Sequence, residues 1–232
     1  MKRTFGLQKT SLIDYPGKVA CVLFSRGCNL RCPYCHNPEL VEGPEPEGME
    51  SWEEILRFLS KRKNVLEGVC ISGGEPLLIK ELPDLIQEIH SLQYFVKVDT
   101  NGTNPQGLEK LEADFVAMDF KTSPEKYSLV GGSPETAKAV SESARILIKR
   151  KVPHEFRITV APEIFEESDA PTIARILKGT ENVILTGVRL SSVLDPAYGS
   201  RVSPYPLEYL QKIRSIFLSE GVPCRIRGDL AV

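Results

Sequence analysis

The sequence predicts an α/β fold in which a parallel sheet of about six strands is covered by outer helices. Three observations carry this. Short runs rich in Val, Ile and Phe alternate with amphipathic stretches almost throughout the chain. Several of those runs are apolar without a break, the pattern of strands covered on both faces. Gly, Pro, Asn and Ser punctuate the joins. Repeated strand–helix units connect by right-handed crossovers, and about six or seven of them are too few for a complete eight-stranded barrel. An incomplete TIM-type barrel and an open doubly wound sheet both satisfy these constraints.

The strands fall at residues 19–24, 69–72, 95–99, 115–119, 156–160 and 183–191, with a short last strand at 223–227. Ser51-Trp52-Glu53-Glu54 has the Ser-x-x-Glu form of a capping box. The apolar stripe Trp52, Ile55, Leu56 and Leu59 continues from it as one helix. Leu82, Leu85, Ile86 and Ile89 repeat that spacing, as do Val140, Ala144 and Leu147. A final helix is expected over 204–220, with Leu207, Leu210, Ile213 and Phe217 inward. Pro44-Glu45-Pro46-Glu47-Gly48 reads as a connection.

At 232 residues, with 41% hydrophobic and 26% charged, the chain is long enough for one sizeable core. A single domain over 1–232 is expected, its repeats spanning 19–191 and an extension covering 192–232. Lys plus Arg number 29 against 31 Asp plus Glu, a net charge of −2. A general grip on nucleic acid needs a basic surplus to displace phosphate counterions, so no nucleic-acid partner is expected. The longest apolar run, 19–24, is far short of the about 20 residues that span a bilayer. The N-terminus leads into polar sequence rather than a signal-peptide core. The expectation is a cytoplasmic protein with no membrane partner.

Six cysteines stand at 21, 28, 32, 35, 70 and 224. A chain with a normal core has little need of disulfides. Three of them fall in the segment Cys28-Asn29-Leu30-Arg31-Cys32-Pro33-Tyr34-Cys35-His36-Asn37, directly after the first strand. The spacing Cys-x3-Cys-x2-Cys lets one short loop bring three thiolates to a compact inorganic core. Fully ligated iron–sulfur clusters generally take four cysteines; three leave an open position, which catalysis at a metal requires. Zinc is the alternative, with His36, Cys70 or Cys224 as a fourth ligand. Cys21 and Cys70 read as small hydrophobes within strands. His90, ending a helix, and His154, starting a strand, read as structural or solvated.

In parallel α/β folds the ligand sits at the C-terminal ends of the strands. Four further motifs lie there or just before. Ser72-Gly73-Gly74-Glu75-Pro76 follows the second strand, where glycines allow close backbone approach. Asp99-Thr100-Asn101-Gly102 closes the third; a plain turn with a helix cap accounts for it equally well on residue types alone. Met118-Asp119-Phe120-Lys121 closes the fourth, and residues two apart on an extended chain share a side, so Asp119 and Lys121 together suit a zwitterion. Arg157 interrupts an apolar strand, and a buried guanidinium needs an anionic partner, which a ligand or an ordinary ion pair supplies.

Cys28, Cys32 and Cys35 in that spacing, with Tyr34 before the last, resemble the radical S-adenosylmethionine superfamily. Thr10-Ser11-Leu12-Ile13-Asp14-Tyr15-Pro16-Gly17, Phe24, Gly27 and His36-Asn37-Pro38 resemble its glycyl-radical activases, most of all the anaerobic ribonucleoside-triphosphate reductase activating proteins. The likeness thins out after about residue 190. It implies a partial barrel, a [4Fe-4S] cluster on Cys28, Cys32 and Cys35, and S-adenosylmethionine at the open iron. One electron then cleaves the sulfonium, giving methionine and a deoxyadenosyl radical. It further implies cofactor contacts at Tyr34, against the adenine, and at His36, Gly73, Gly74, Glu75, Asp99, Asn101, Asp119, Lys121 and Arg157. Asp14 would stand at the mouth of the site, or else cap a turn. The implied partners are a glycyl radical enzyme and a flavodoxin or ferredoxin as electron donor. An incomplete barrel suits a protein substrate, because a lateral gap admits a peptide loop. Between Cys35 and Gly73 the one cysteine is Cys70, which leaves no ligands for extra ferredoxin-like clusters there. A small-molecule radical enzyme resembling 7-carboxy-7-deazaguanine synthase, and a zinc-stabilised binding domain, are the competing readings.

Overall fold

The computed structural model describes residues 3–150 and 152–227. Met1, Lys2 and residues 228–232, the end of the expected extension, lie outside the described residues. Two units are distinguished. The first holds the chain up to Cys28, Glu39–Thr100 and Lys110–Val116; the second holds Asn29–Pro38, Asn101–Glu109 and the chain from Ala117 onward.

In the first unit β1 (Thr4–Ser11) lies antiparallel to β2 (Ala20–Ser25), with Gly6 opposite Phe24 and Ser11 opposite Ala20. The short α1 (Pro38–Val41) and β3 (Glu50–Ser51) follow, β3 pairing with the outer edge of β1. Then come α2 (Trp52–Lys61), β4 (Gly68–Gly73), α3 (Leu82–Ser91) and β5 (Phe95–Thr100). The capping box forms as the sequence predicts: Ser51 Oγ accepts from Glu54 N, and Ser51 N donates to Glu54 Oε2 at 2.8 Å. Ile55 and Leu59 then face the core, fully buried. β2, β4 and β5 are parallel, and Val22, Val69, Ile71, Val96 and Val98 are all but inaccessible, as unbroken apolar strands require.

The second unit contains α4 (Pro105–Glu109), the end of β6 (Phe115–Asp119), α5 (Pro134–Arg150), β7 (His154–Val160) and α6 (Ala170–Ile176). It continues with β8 (Val183–Gly187), α7 (Pro196–Arg201), α8 (Leu207–Ser219) and β9 (Cys224–Ile226). Strands β7, β8 and β9 are parallel.

Among the described residues the hydrogen-bonded strand order is β3-β1-β2-β4-β5-β6-β7-β8-β9. From β4 to β9 each strand next in the chain is next in the sheet. A doubly wound sheet reverses its order at a switch point, and this one does not. The order is that of a barrel wound in one sense, ending at β3 and β9 without closing. The incomplete barrel is therefore the fold.

Several elements differ from expectation. β1 and β3 were not foreseen: along β1 only Phe5 and Ser11 are buried, so it carries little apolar alternation, and β3 has two residues. The strand expected over 183–191 stops at Gly187, one last bond to β7 following it from Val188 N to Val160 O at 3.3 Å. The last helix begins at Leu207 rather than 204, since Pro206 is held extended as its N-cap. No helix among the described residues is long and apolar enough to cross a membrane.

Candidate functional site

The cysteine loop leaves the C-terminal end of β2. Cys28 and Cys35 are half-buried and Cys32 is 8% exposed. A loop without regular structure must find partners for its backbone and side-chain polar groups, and the second unit supplies them from three segments. Arg31 N donates to Val130 O at 2.8 Å. Leu194 N donates to Cys35 O and Asp195 N to Pro33 O, each at 3.0 Å. Asn101 Nδ2 donates to Asn29 Oδ1 at 3.0 Å, and Asn29 Nδ2 to Thr103 Oγ1 at 2.8 Å. Exposed His36 meets Ser192 O through Nδ1 at 3.3 Å. The other three cysteines are buried. Burial pushes the Cys21 and Cys224 thiols up to about 12, which keeps them protonated and inert.

Beside this loop, in the same unit, stand the charges at the ends of β6 and β7. Asp119 accepts from Lys121 Nζ at 2.9 Å through Oδ2, and from Arg157 Nε at 2.7 Å through Oδ1. Phe120 N donates to Arg157 O at 2.8 Å and sets the two strand ends in register. Burial opposes the charge on Asp119, yet Arg157 and then Lys121 outweigh it and hold the carboxyl below its ordinary range. Burial likewise opposes the charge on Lys121, but Asp119 and then Cys32 raise it above the usual lysine value. Two cations share one carboxylate. Charged donors gathered at one strand end suit an anionic ligand group.

Tyr34 turns its side chain inward. It is 4% exposed, and its buried hydroxyl meets no hydrogen-bond partner. Burial first, and Cys32 and Asp119 after it, push that hydroxyl well above its ordinary value. Its ring is thereby largely removed from solvent.

In the first unit the Gly73-Gly74 turn lies against Ser25–Gly27, just before Cys28. Gly73 has φ +109°, and a Cβ on Gly74 would stand 2.1 Å from Gly27 O. The close approach these glycines permit is to the chain itself, with Gly74 N bonded to Ser25 O and Glu75 N to Gly27 O, each at 2.8 Å. Replacing Gly74 by Ala must push this backbone apart. A loss of about 3 kcal/mol, the upper end for overpacking, is expected as a lower midpoint in urea unfolding; an unchanged midpoint would refute the contact. Glu75, 1% exposed, accepts from Thr100 Oγ1 at 2.7 Å and Leu77 N at 3.0 Å, latching β4 to β5. Asp99 closes β5 and accepts from Ser72 Oγ at 3.0 Å and from Lys97.

Some residues the sequence singled out lie elsewhere. Asp14 sits in a turn with Ser11, whose Oγ accepts from Asp14 N at 3.2 Å. The β1–β2 register puts that turn at the start of β2, the end opposite the cysteine loop. His90 pairs with Asp114 at 2.9 Å, and His154 bonds Val152 O and Thr180 Oγ1. Sequence reasoning missed Asn29, Thr103, Leu194, Asp195 and Lys97. For Lys97 a signal existed: like Arg157, it interrupts an apolar strand.

A family model described as the radical SAM superfamily matches residues 22–188. The chain belongs to the radical SAM superfamily. Its relatives include a Methanocaldococcus jannaschii protein provisionally named glycyl-radical enzyme activating enzyme MJ1227, 33% identical over 98% of each chain. The pyruvate formate-lyase-activating enzyme of Clostridium pasteurianum is 34% identical over 52% of this chain and 53% of its own. That of Staphylococcus epidermidis is 28% identical over 76% of each. The radical SAM chain is thus a homologue of glycyl-radical enzyme activating enzymes. Among solved structures, TYW1 with a lysine-pyruvate adduct gives a TM-score of 0.65 at 16% identity, covering 87% of this chain and 72% of its own. Streptococcus suis SuiB bound to S-adenosylmethionine gives 0.64 at 17%, over 89% and 50%. QueE from Escherichia coli gives 0.53 at 13%, over 98% and 92%. At such identities these likenesses establish the shared fold alone.

The superfamily's cofactors are a [4Fe-4S] cluster and S-adenosylmethionine, and the donor set here fits them. Three thiols stand on one tethered loop, while Cys21 and Cys224 are kept as thiols by burial. Among the described residues no three His, Cys, Asp or Glu side chains gather closely enough to hold a single metal ion. A cuboidal cluster does not ask for that, because each thiolate meets a different iron.

Proposed function

We propose that this radical SAM protein activates a glycyl radical enzyme, anaerobic ribonucleoside-triphosphate reductase in particular, taking electrons from a flavodoxin or ferredoxin. The observation that carries the reading is the end-to-end similarity to the M. jannaschii activating enzyme, over 98% of both chains. Cys28, Cys32 and Cys35 hold the cluster. When bound, cluster and cofactor would supply one-electron cleavage of the sulfonium, the chemistry that removal of a hydrogen from a glycine Cα requires.

The chain's own residues bind and orient. Lys121 and Arg157, the cations at the ends of β6 and β7, take the methionyl carboxylate. The Gly73-Gly74-Glu75 turn serves the methionyl amine, the glycines holding it against Ser25–Gly27 and Glu75 fixing its distance from Thr100, and Asp99 helps hold the methionyl end or a cation bound there. Tyr34 and His36 meet the adenosyl part, Tyr34 through its backbone. Asn101 acts by fastening Asn29, and so the cysteine loop.

The test is anaerobic incubation of the reconstituted protein with reductant, S-adenosylmethionine and anaerobic ribonucleotide reductase. A glycyl-radical signal on the reductase, in electron paramagnetic resonance, is the expected result. Deoxyadenosine release without that signal on the reductase, or on any other glycyl radical enzyme supplied, would transfer the protein to small-molecule radical chemistry.

A further inference from the structure

Lys97 is the one lysine or arginine fully buried among the described residues, with its side chain 2% exposed. It lies within β5 between Val96 and Val98, both inaccessible. Alternation along the strand puts Lys97 and Asp99 on one side. The parallel register sets Lys97 opposite Cys70 of β4 and brings Ser72 beside Asp99. Lys97 Nζ donates to Asp99 Oδ1 and lies 3.8 Å from Cys70 Sγ; Asp99 Oδ2 accepts from Ser72 Oγ at 3.0 Å.

An ammonium buried in an apolar sheet is a poor choice for stability. Replacing a buried ion pair with apolar side chains of like volume is often neutral or stabilising. Packing alone therefore does not call for lysine at 97. What the lysine does is fasten the Asp99 carboxylate by one oxygen, with Ser72 gripping the other. A carboxylate fastened in this way has its orientation cost settled before a ligand arrives.

We infer that Lys97 is a positioning residue for cofactor binding, acting through Asp99. This rests on the reading above that Asp99 serves the methionyl end of S-adenosylmethionine. Lys97 touches no ligand itself; it fixes the group that does.

The test measures S-adenosylmethionine binding by anaerobic calorimetry, without reductant, on reconstituted wild type, Lys97→Met, Asp99→Asn and the double variant. Lys97→Met is expected to weaken binding about tenfold, the scale of a hydrogen bond to a charged group. Its iron content should stay at the wild-type level, while its melting temperature is expected to fall, because the Asp99 carboxylate loses its buried cation. The double variant should bind no worse than Asp99→Asn, since the lysine has nothing left to position. The cofactor-induced change in the electron paramagnetic resonance spectrum of the reduced cluster should need about tenfold more cofactor in Lys97→Met. Should Lys97→Met not fold, Lys97→Gln removes the charge while keeping a donor, and the same weakening is expected. Wild-type affinity in the Lys97 variants, or losses that add in the double variant, would overturn the inference. Wild-type affinity in Asp99→Asn would instead remove the reading of Asp99 itself.

Discussion

Replacing Cys32 by Ala is expected to abolish cluster assembly while leaving the protein folded. Anaerobic reconstitution of wild type should yield about four iron and four sulfide per chain; Cys32→Ala should yield well under half of each. The expected contrast comes from burial. Cys32 is 8% exposed, and it sits close enough to Lys121 and Tyr34 to act on both electrostatically. No other cysteine of that unit outside the loop is available as a substitute ligand: Cys224 is buried and held protonated. Stability should change little, by about 1 kcal/mol as for an ordinary core truncation. Cys224→Ala is the control and should assemble a full cluster. Full iron and sulfide in Cys32→Ala would mean that the loop is not the cradle. One zinc and no sulfide in the wild type would remove the radical reading altogether.

The second large effect concerns the charges at the ends of β6 and β7. Lys121→Ala should retain the cluster and lose between about 10-fold and 100-fold in S-adenosylmethionine affinity, the worth of a hydrogen bond to a charged group. Normal binding in that variant would remove Lys121 from the cofactor. Asp119→Ala should behave differently, because it leaves Lys121 and Arg157 facing each other without their shared carboxylate. Stranding a buried charge costs about 3–5 kcal/mol. With these side chains 17–27% exposed, the lower end is expected. The pH dependence follows from the lowered carboxyl. Its folded pKa lies below the unfolded value of about 3.9, so its contribution is present above that value and is lost as pH falls through the folded one. Urea midpoints measured from pH 7 downward should therefore fall less steeply on the acid side for Asp119→Asn than for wild type. Parallel acid limbs would mean that Asp119 is not coupled to folding.

Much of the site was legible because it is local. Cys-x3-Cys-x2-Cys, Gly73-Gly74-Glu75, Asp99 and Asp119-Phe120-Lys121 each occupy a few consecutive residues, and each follows or closes a strand that its apolar run betrays. The ion pair was anticipated as one of two fates for Arg157, since a guanidinium in an apolar strand must find an anion.

The amino-acid sequence by itself determined the ligand chemistry, the winding of strand upon helix and the superfamily, for these reside in residue type and short spacing. The tertiary structure decided what fastens those parts. Asn29 meets Asn101 across 72 residues, His36 meets Ser192 across 156, and Leu194 and Asp195 arrive at the cysteine loop from beyond β8. Ser72 reaches Asp99, 27 residues away, because β4 and β5 run in parallel register. Such partners are chosen by strand register and chain return, and neither is encoded in the spacing of any one segment.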